Sequence, residues 1–223
     1  MTPELQRKLA VEFIGMFIFA FTVGMATNKL GAGALAPLAI GSILMVMVFA
    51  GGHVSGGHFN PAVSTAVFVR GRIAANEFAA YLVTQFVAAI LGGLVVRYVG
   101  GHQTHAPVAS EGKMLVAEFI FTFALAWVVL HVATARGTEG NSFYGLAIGF
   151  TVVAGAFAVG GISGGAFNPA IAVGAMVTGL LAWGHLWVYL LAEFVGAAAA
   201  AYAFLFVLPG EKDAGDIEAA SAE

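Results

Sequence analysis

The sequence predicts an all-α membrane protein in which six transmembrane helices and two re-entrant half-helices form an inverted repeat. Three observations predict it. First, the 223 residues are 60% apolar and only 9% charged, with a mean hydropathy of +0.93. A water-soluble domain averages about 45–50% apolar and about 25% charged. Second, six apolar stretches are long enough to cross a bilayer. Third, the string SGGHFNPAV at Ser55–Val63 returns almost unchanged as SGGAFNPAI at Ser163–Ile171.

A helix needs about 20 apolar residues to cross the hydrocarbon core. In chain order the spans are Leu9–Thr27, Ala34–Gly52, Phe78–Tyr98, Met114–Thr134, Phe143–Gly160 and Leu186–Leu208. The short alternating segments of a strand barrel do not occur. The leading MTPELQRKLAVEFIG lacks a short apolar core followed by a small-residue cleavage site, so the first span is expected to be retained. With both termini in the cytoplasm, Arg7, Lys8, Arg70, Arg72, Arg136 and Lys212 lie inside, and Lys29, Arg97 and Lys113 lie outside. That bias favours the N-in, C-in orientation. The compact loops suggest a bacterial inner membrane.

The two asparagines, Asn60 and Asn168, are 108 residues apart, and the same offset carries Tyr81 onto Tyr189 and Gln85 onto Glu193. VEFIG at 11–15 resembles AEFIF at 117–121. Residues 1–110 are therefore read as a first repeat, with Asn60, Pro61 and Ala62 in its loop. Residues 111–210 form the second repeat, with Asn168, Pro169 and Ala170, and 211–223 an acidic, disordered cytoplasmic tail. Three spans per half reverse the direction of entry, which makes the repeat inverted and places its site near the midplane.

Each Asn-Pro-Ala opens a helix. Asn is a good N-cap, and Pro at the first helical position loses no hydrogen bond. Residues 61–70 would rise about 15 Å, half of a core about 30 Å thick. Irregular backbone at that depth must be buried in protein or line a wet cavity. Two half-helices would meet N-terminus to N-terminus, each with about +0.5 of an elementary charge, which repels cations and protons. Each Asn oxygen caps its own helix and leaves its NH₂ as a donor to a lumen. A water held there turns its hydrogens away, and the result is a narrow conduit for neutral molecules.

Other functions find little support. The chain has no cysteine, hence no disulfide framework, thiolate metal site or Cys nucleophile. The net charge of −3 and the lack of a basic run give nucleic-acid binding no support. No metal-ligand spacing, cofactor motif or nucleophile–base pair appears, so an enzyme is not expected. His102 and His105 read as part of a plain polar loop. A coupled transporter would need intramembrane ligands, and few are present beyond Glu12, Glu118 and Glu193.

At the two SGGxFNPA strings the chain resembles the aquaporin, or major intrinsic protein, family, and the similarity covers almost its whole length. The resemblance implies six tilted helices and two half-helices, assembled as a homotetramer with one pore per subunit in the lipid bilayer. It implies that Glu12 and Glu118 brace the Asn-Pro-Ala loops by accepting hydrogen bonds from their backbone. Glu193 departs from the family, which commonly has a non-acidic residue there. Either a subunit contact or a bound proton would account for it.

The selectivity constriction that the resemblance implies falls on Ile40, Ala156, Gly165 and Ile171. Typical members carry Arg where Ile171 stands, and water-selective members often carry His where Ala156 stands. Glycerol-conducting members carry that Arg and an Asp just after it, where this chain has Ala172. An apolar ring without donors is expected to be wider and weakly hydrated, and glycerol is disfavoured because lost hydrogen bonds to water go unreplaced. Water is the first expected solute; CO₂, ammonia, hydrogen peroxide and arsenite are the alternatives. A structural membrane protein with a closed pore is the reading from another class.

Overall fold

A computed structural model describes residues 1–106 and 108–211. Eight α-helices follow one another: α1 (Pro3–Ala26), α2 (Ala36–Ser55), α3 (Pro61–Val69), α4 (Ala75–Gly100), α5 (Glu111–Ala133), α6 (Tyr144–Ser163), α7 (Pro169–Thr178) and α8 (Leu186–Val207). Among the described residues, six helices are long and apolar enough to cross a membrane, while α3 and α7 have only 9 and 10 residues. At about 1.5 Å per residue these two cover only half a bilayer.

The helix ends lie close to the expected spans and differ where local signals were passed over. α1 begins six residues before Leu9 because the Thr2 hydroxyl accepts from Leu5 N at 3.2 Å and Pro3 occupies the first turn. The charged first turn extends past the apolar core of the span, where Lys8 reaches Glu77 of α4 at 3.2 Å.

The helices pack as two matched sets. α1 lies on α2 and α4, and α5 lies on α6 and α8 in the same manner. α2 and α6 join the sets across the repeat boundary. Their approach depends on two glycines, since a Cβ at Gly41 or at Gly149 would each lie 2.5 Å from the other's carbonyl oxygen. Lipid tails are as apolar as leucine, so contacts of this kind rest on close packing of small residues. Large apolar side chains such as Val83, Val87, Leu191 and Val195 point outward, as expected of a surface facing lipid or another subunit.

Glu211, assigned above to the acidic tail, is buried. It forms an ion pair with Arg70 at the end of α3, at 2.5 Å, and accepts from Arg136 N at 2.8 Å. Lys212 and the remainder of that tail lie outside the described residues.

Candidate functional site

Both short helices start from the same backbone device. α2 ends at Gly56 (φ 85°) and α6 at Gly164 (φ 92°), and Gly57 and Gly165 continue in the left-handed region. Phe59 (φ 44°) and Phe167 (φ 49°) share that region, where a residue with a side chain is strained by about 1–3 kcal/mol. The turn aims consecutive N–H groups at one buried carboxyl. Glu12 accepts from His58 N and Phe59 N at 2.9 and 2.8 Å, and from the Ser55 hydroxyl at 2.8 Å. Glu118 accepts from Ala166 N and Phe167 N at 3.1 and 2.8 Å. Both carboxyl groups are 0% exposed, so these bonds satisfy acceptors that water does not reach.

The asparagines follow in extended conformation. Asn60 Oδ1 accepts from Ala62 N at 2.8 Å, and Asn168 Oδ1 from Ala170 N at 3.0 Å, which caps α3 and α7. Their amide nitrogens differ from the sequence expectation of two free donors. Asn60 Nδ2 donates to Phe167 O at 2.9 Å, and Asn168 Nδ2 donates to Phe59 O at 2.8 Å. The left-handed Phe turn exposes the carbonyl that the opposite asparagine takes. An amide has two N–H groups, so this bond leaves one N–H on each asparagine.

Asn60 and Asn168 border a cavity of about 10 Å³, close to the room needed by one water. Its walls include His58, Val63, Leu44 and Ile148, so two amides face an otherwise largely apolar surface. His58 also borders a wider cavity of about 630 Å³ that opens among Lys8, His53, Arg72 and Asn141.

Of the four residues expected at the constriction, Gly165 stands over Ala156, with a Cβ on the glycine 3.6 Å from Ala156 Cα. Ile40 adjoins Gly41, which packs on Val153, one turn from Ala156. Ile171, in the first turn of α7, is buried and borders a narrow crevice with Ala20 and Val23 of α1. None of the four side chains carries a polar atom.

Several residues at the site had no role in the sequence reading. Tyr81 donates to Ser55 O at 2.7 Å, and its repeat mate Tyr189 donates to Ser163 O. Each ties the end of a span to the start of a loop. Gln85 donates to Glu12 Oε2 at 2.8 Å and to Ser64 Oγ at 3.0 Å, and His58 Nδ1 lies 3.0 Å from the same hydroxyl. The recurrence of Tyr81 at Tyr189 was the available signal. Glu193 is not at the protein surface: its Oε1 accepts from Asn168 N at 3.0 Å.

Two opposed capped half-helices are reciprocally bonded among six helices long and apolar enough to cross a membrane. The family model for "Major intrinsic protein" matches residues 1–204. Aquaporin NIP1-4 of Oryza sativa subsp. japonica is 37% identical over 216 residues, covering 92% of this chain and 78% of that protein. Glycerol uptake facilitator protein-like 6 of Lactiplantibacillus plantarum is 36% identical over 209 residues, covering 88% and 95%. The X-ray structure of the aquaglyceroporin from Plasmodium falciparum superposes with a TM-score of 0.77 over 94% of this chain and 99% of that one, at 22% identity, a likeness of fold. The chain belongs to the major intrinsic protein family. It is a multi-pass membrane channel for water or small solutes, and not an enzyme.

Proposed function

We propose that the chain is a passive channel for water and other small neutral solutes, with an apolar constriction in place of an arginine-bearing filter. The observation that carries this reading is the meeting of α3 and α7 at Asn60 and Asn168, beside a cavity with room for about one water. One donor per asparagine orients a passing molecule, and the two helix N-termini repel cations. Asn60, Pro61 and Ala62 with Asn168, Pro169 and Ala170 form the narrow passage. Ile40, Ala156, Gly165 and Ile171 form the constriction on the extracellular side.

Such a constriction offers a solute no donor. Water passes as a small molecule that regains its bonds at the asparagines. Glycerol has three hydroxyls to desolvate and is disfavoured, although one relative bears the name of a glycerol facilitator. CO₂, ammonia, hydrogen peroxide and arsenite remain the alternative cargo. The channel is read as a homotetramer, with both termini cytoplasmic, in a bacterial inner membrane.

Stopped-flow light scattering of proteoliposomes after an osmotic step tests this, with wild type beside Ile171→Arg. Fast shrinkage with a low activation energy in the wild type supports an open apolar constriction. Shrinkage at the bare-lipid rate rejects water as the solute, and the same vesicles then report CO₂, peroxide and arsenite flux. Failure of all of these favours a structural protein with a closed pore.

A further inference from the structure

We propose that Glu193 is a neutral carboxylic acid that donates its proton to the Glu118 carboxylate, so that the second loop receives the bond that Gln85 gives the first. The two halves provide the comparison. In the first, Gln85 Nε2 donates to Glu12 at 2.8 Å and also contacts Ser64, which leads on to His58. At the offset of 108 the mates of Ser64 and His58 are Ala172 and Ala166, so that polar chain has no counterpart. What remains is a glutamate where the glutamine stood, and the two carboxyl groups take consecutive backbone donors, Phe167 N to Glu118 Oε2 at 2.8 Å and Asn168 N to Glu193 Oε1 at 3.0 Å.

Glu193 and Glu118 are both 0% exposed. Glu118 is supplied by Ala166 N and Phe167 N. Glu193 Oε1 is supplied by Asn168 N, whereas its Oε2 has no donor among the described residues. Two ionised carboxylates on adjacent backbone donors in a dry interior repel each other and lose their hydration together. One proton between them removes the repulsion and one of the two buried charges, and the oxygen without a donor is the one that gains by holding it.

Among the described residues no nearby cation offers another solution. The helices packed against α8 are α3, α5 and α7. Neither Pro61–Val69 nor Pro169–Thr178 contains a titratable side chain. On α5, Glu111 lies 3.3 Å from His185, Lys113 is exposed in the first turn, and His131, in the last turn, contacts the Trp127 carbonyl. Arg70, beyond α3, is paired with Glu211. On α8 itself, the Tyr189 hydroxyl is given to Ser163 O. Glu193 is thus a positioning residue: Oε1 holds the Asn168 backbone and Oε2 ties it to Glu118.

Infrared spectroscopy of the reconstituted channel in mildly alkaline buffer tests the proposal, with Glu193→Gln and Glu193→Leu measured for flux. A protonated-carboxyl carbonyl band is expected in the wild type and is lost in Glu193→Gln. That variant, which keeps the shape and the donor, retains wild-type flux, while Glu193→Leu falls to the bare-lipid rate. The proposal is overturned by an absent band, by a band that survives in Glu193→Gln, by a Glu193→Gln protein that fails to fold or conduct, or by full flux in Glu193→Leu. The flux comparison rests on the channel reading. If the wild type itself conducts nothing, the band and the thermal stability of the two variants still decide the proton's place.

Discussion

Asn60 and Phe167 are joined by a 2.9 Å hydrogen bond although 107 residues separate them, and Asn168 and Phe59 return the same bond at 2.8 Å. Replacing Asn60 by Asp tests what this donor does. The carboxylate still caps α3 but cannot donate, so Phe167 O loses its partner and a negative charge enters the passage. Unsatisfied buried acceptors cost about 1–3 kcal/mol. The expected result for Asn60→Asp is a lower unfolding temperature in detergent, reduced neutral-solute flux and a raised proton leak, the last read by a pH dye inside vesicles. Unchanged leak and flux would remove the asparagine pair from the conduction path.

The two tyrosine bonds predict a symmetric loss. Tyr81→Phe and Tyr189→Phe each leave a buried serine carbonyl without its donor, for roughly 1–3 kcal/mol. The sites lie in different halves and have no shared partner, so the double variant should show nearly the sum. Thermal unfolding of the four proteins measures it. A strongly sub-additive double variant would mean that the halves do not respond independently.

Arg70 and Glu211 form a buried pair, with side chains 0% and 9% exposed. Arg70 also donates to Thr134 Oγ1 at 2.9 Å, and its guanidinium lies 5.0 Å from the Phe204 ring. Removing one partner strands the other, at a cost of about 3–5 kcal/mol. Arg70→Met and Glu211→Leu should each lower the yield of folded protein and its melting temperature. The double variant should recover part of the loss, because no charge is then left unpaired. Single variants as stable as wild type would contradict the pairing.

Gly41→Ala tests the seam between the repeats. A Cβ there would lie 2.2 Å from Val153 Cγ2 and 2.5 Å from Gly149 O. The valine can turn away, but a backbone carbonyl cannot. Overpacking of this kind costs about 1–3 kcal/mol or more, and size-exclusion profiles with melting curves should show it. Exposed Gly112, where a Cβ meets open space, is the control and should tolerate Ala.

Much of this site could be read from the sequence because its signals are local. Asn followed by Pro at 60–61 and 168–169 specifies a cap and a first turn within two residues. The 108-residue offset supplied the rest of the architecture by repetition. The Arg70–Glu211 pair spans 141 positions, and the acidic composition after it placed Glu211 in the solvent. The left-handed turn at Phe59 and Phe167 was hidden for another reason. An aromatic residue gives no local hint of positive φ, and only the carboxyl that collects its N–H makes the conformation worthwhile. Glu193 was hard to place because the side chain that holds the neighbouring backbone donor, Glu118, is also an acid.

The crossed asparagine bonds also bear on how such a channel can be rebuilt. Each half-helix is anchored to its own carboxyl but held in place by an atom of the other half. A chimaera that borrows one loop from a relative therefore inherits a fastening cut for a different counterpart. Exchange should succeed when both loops travel together and fail when either travels alone, as with the two leaves of a single clasp.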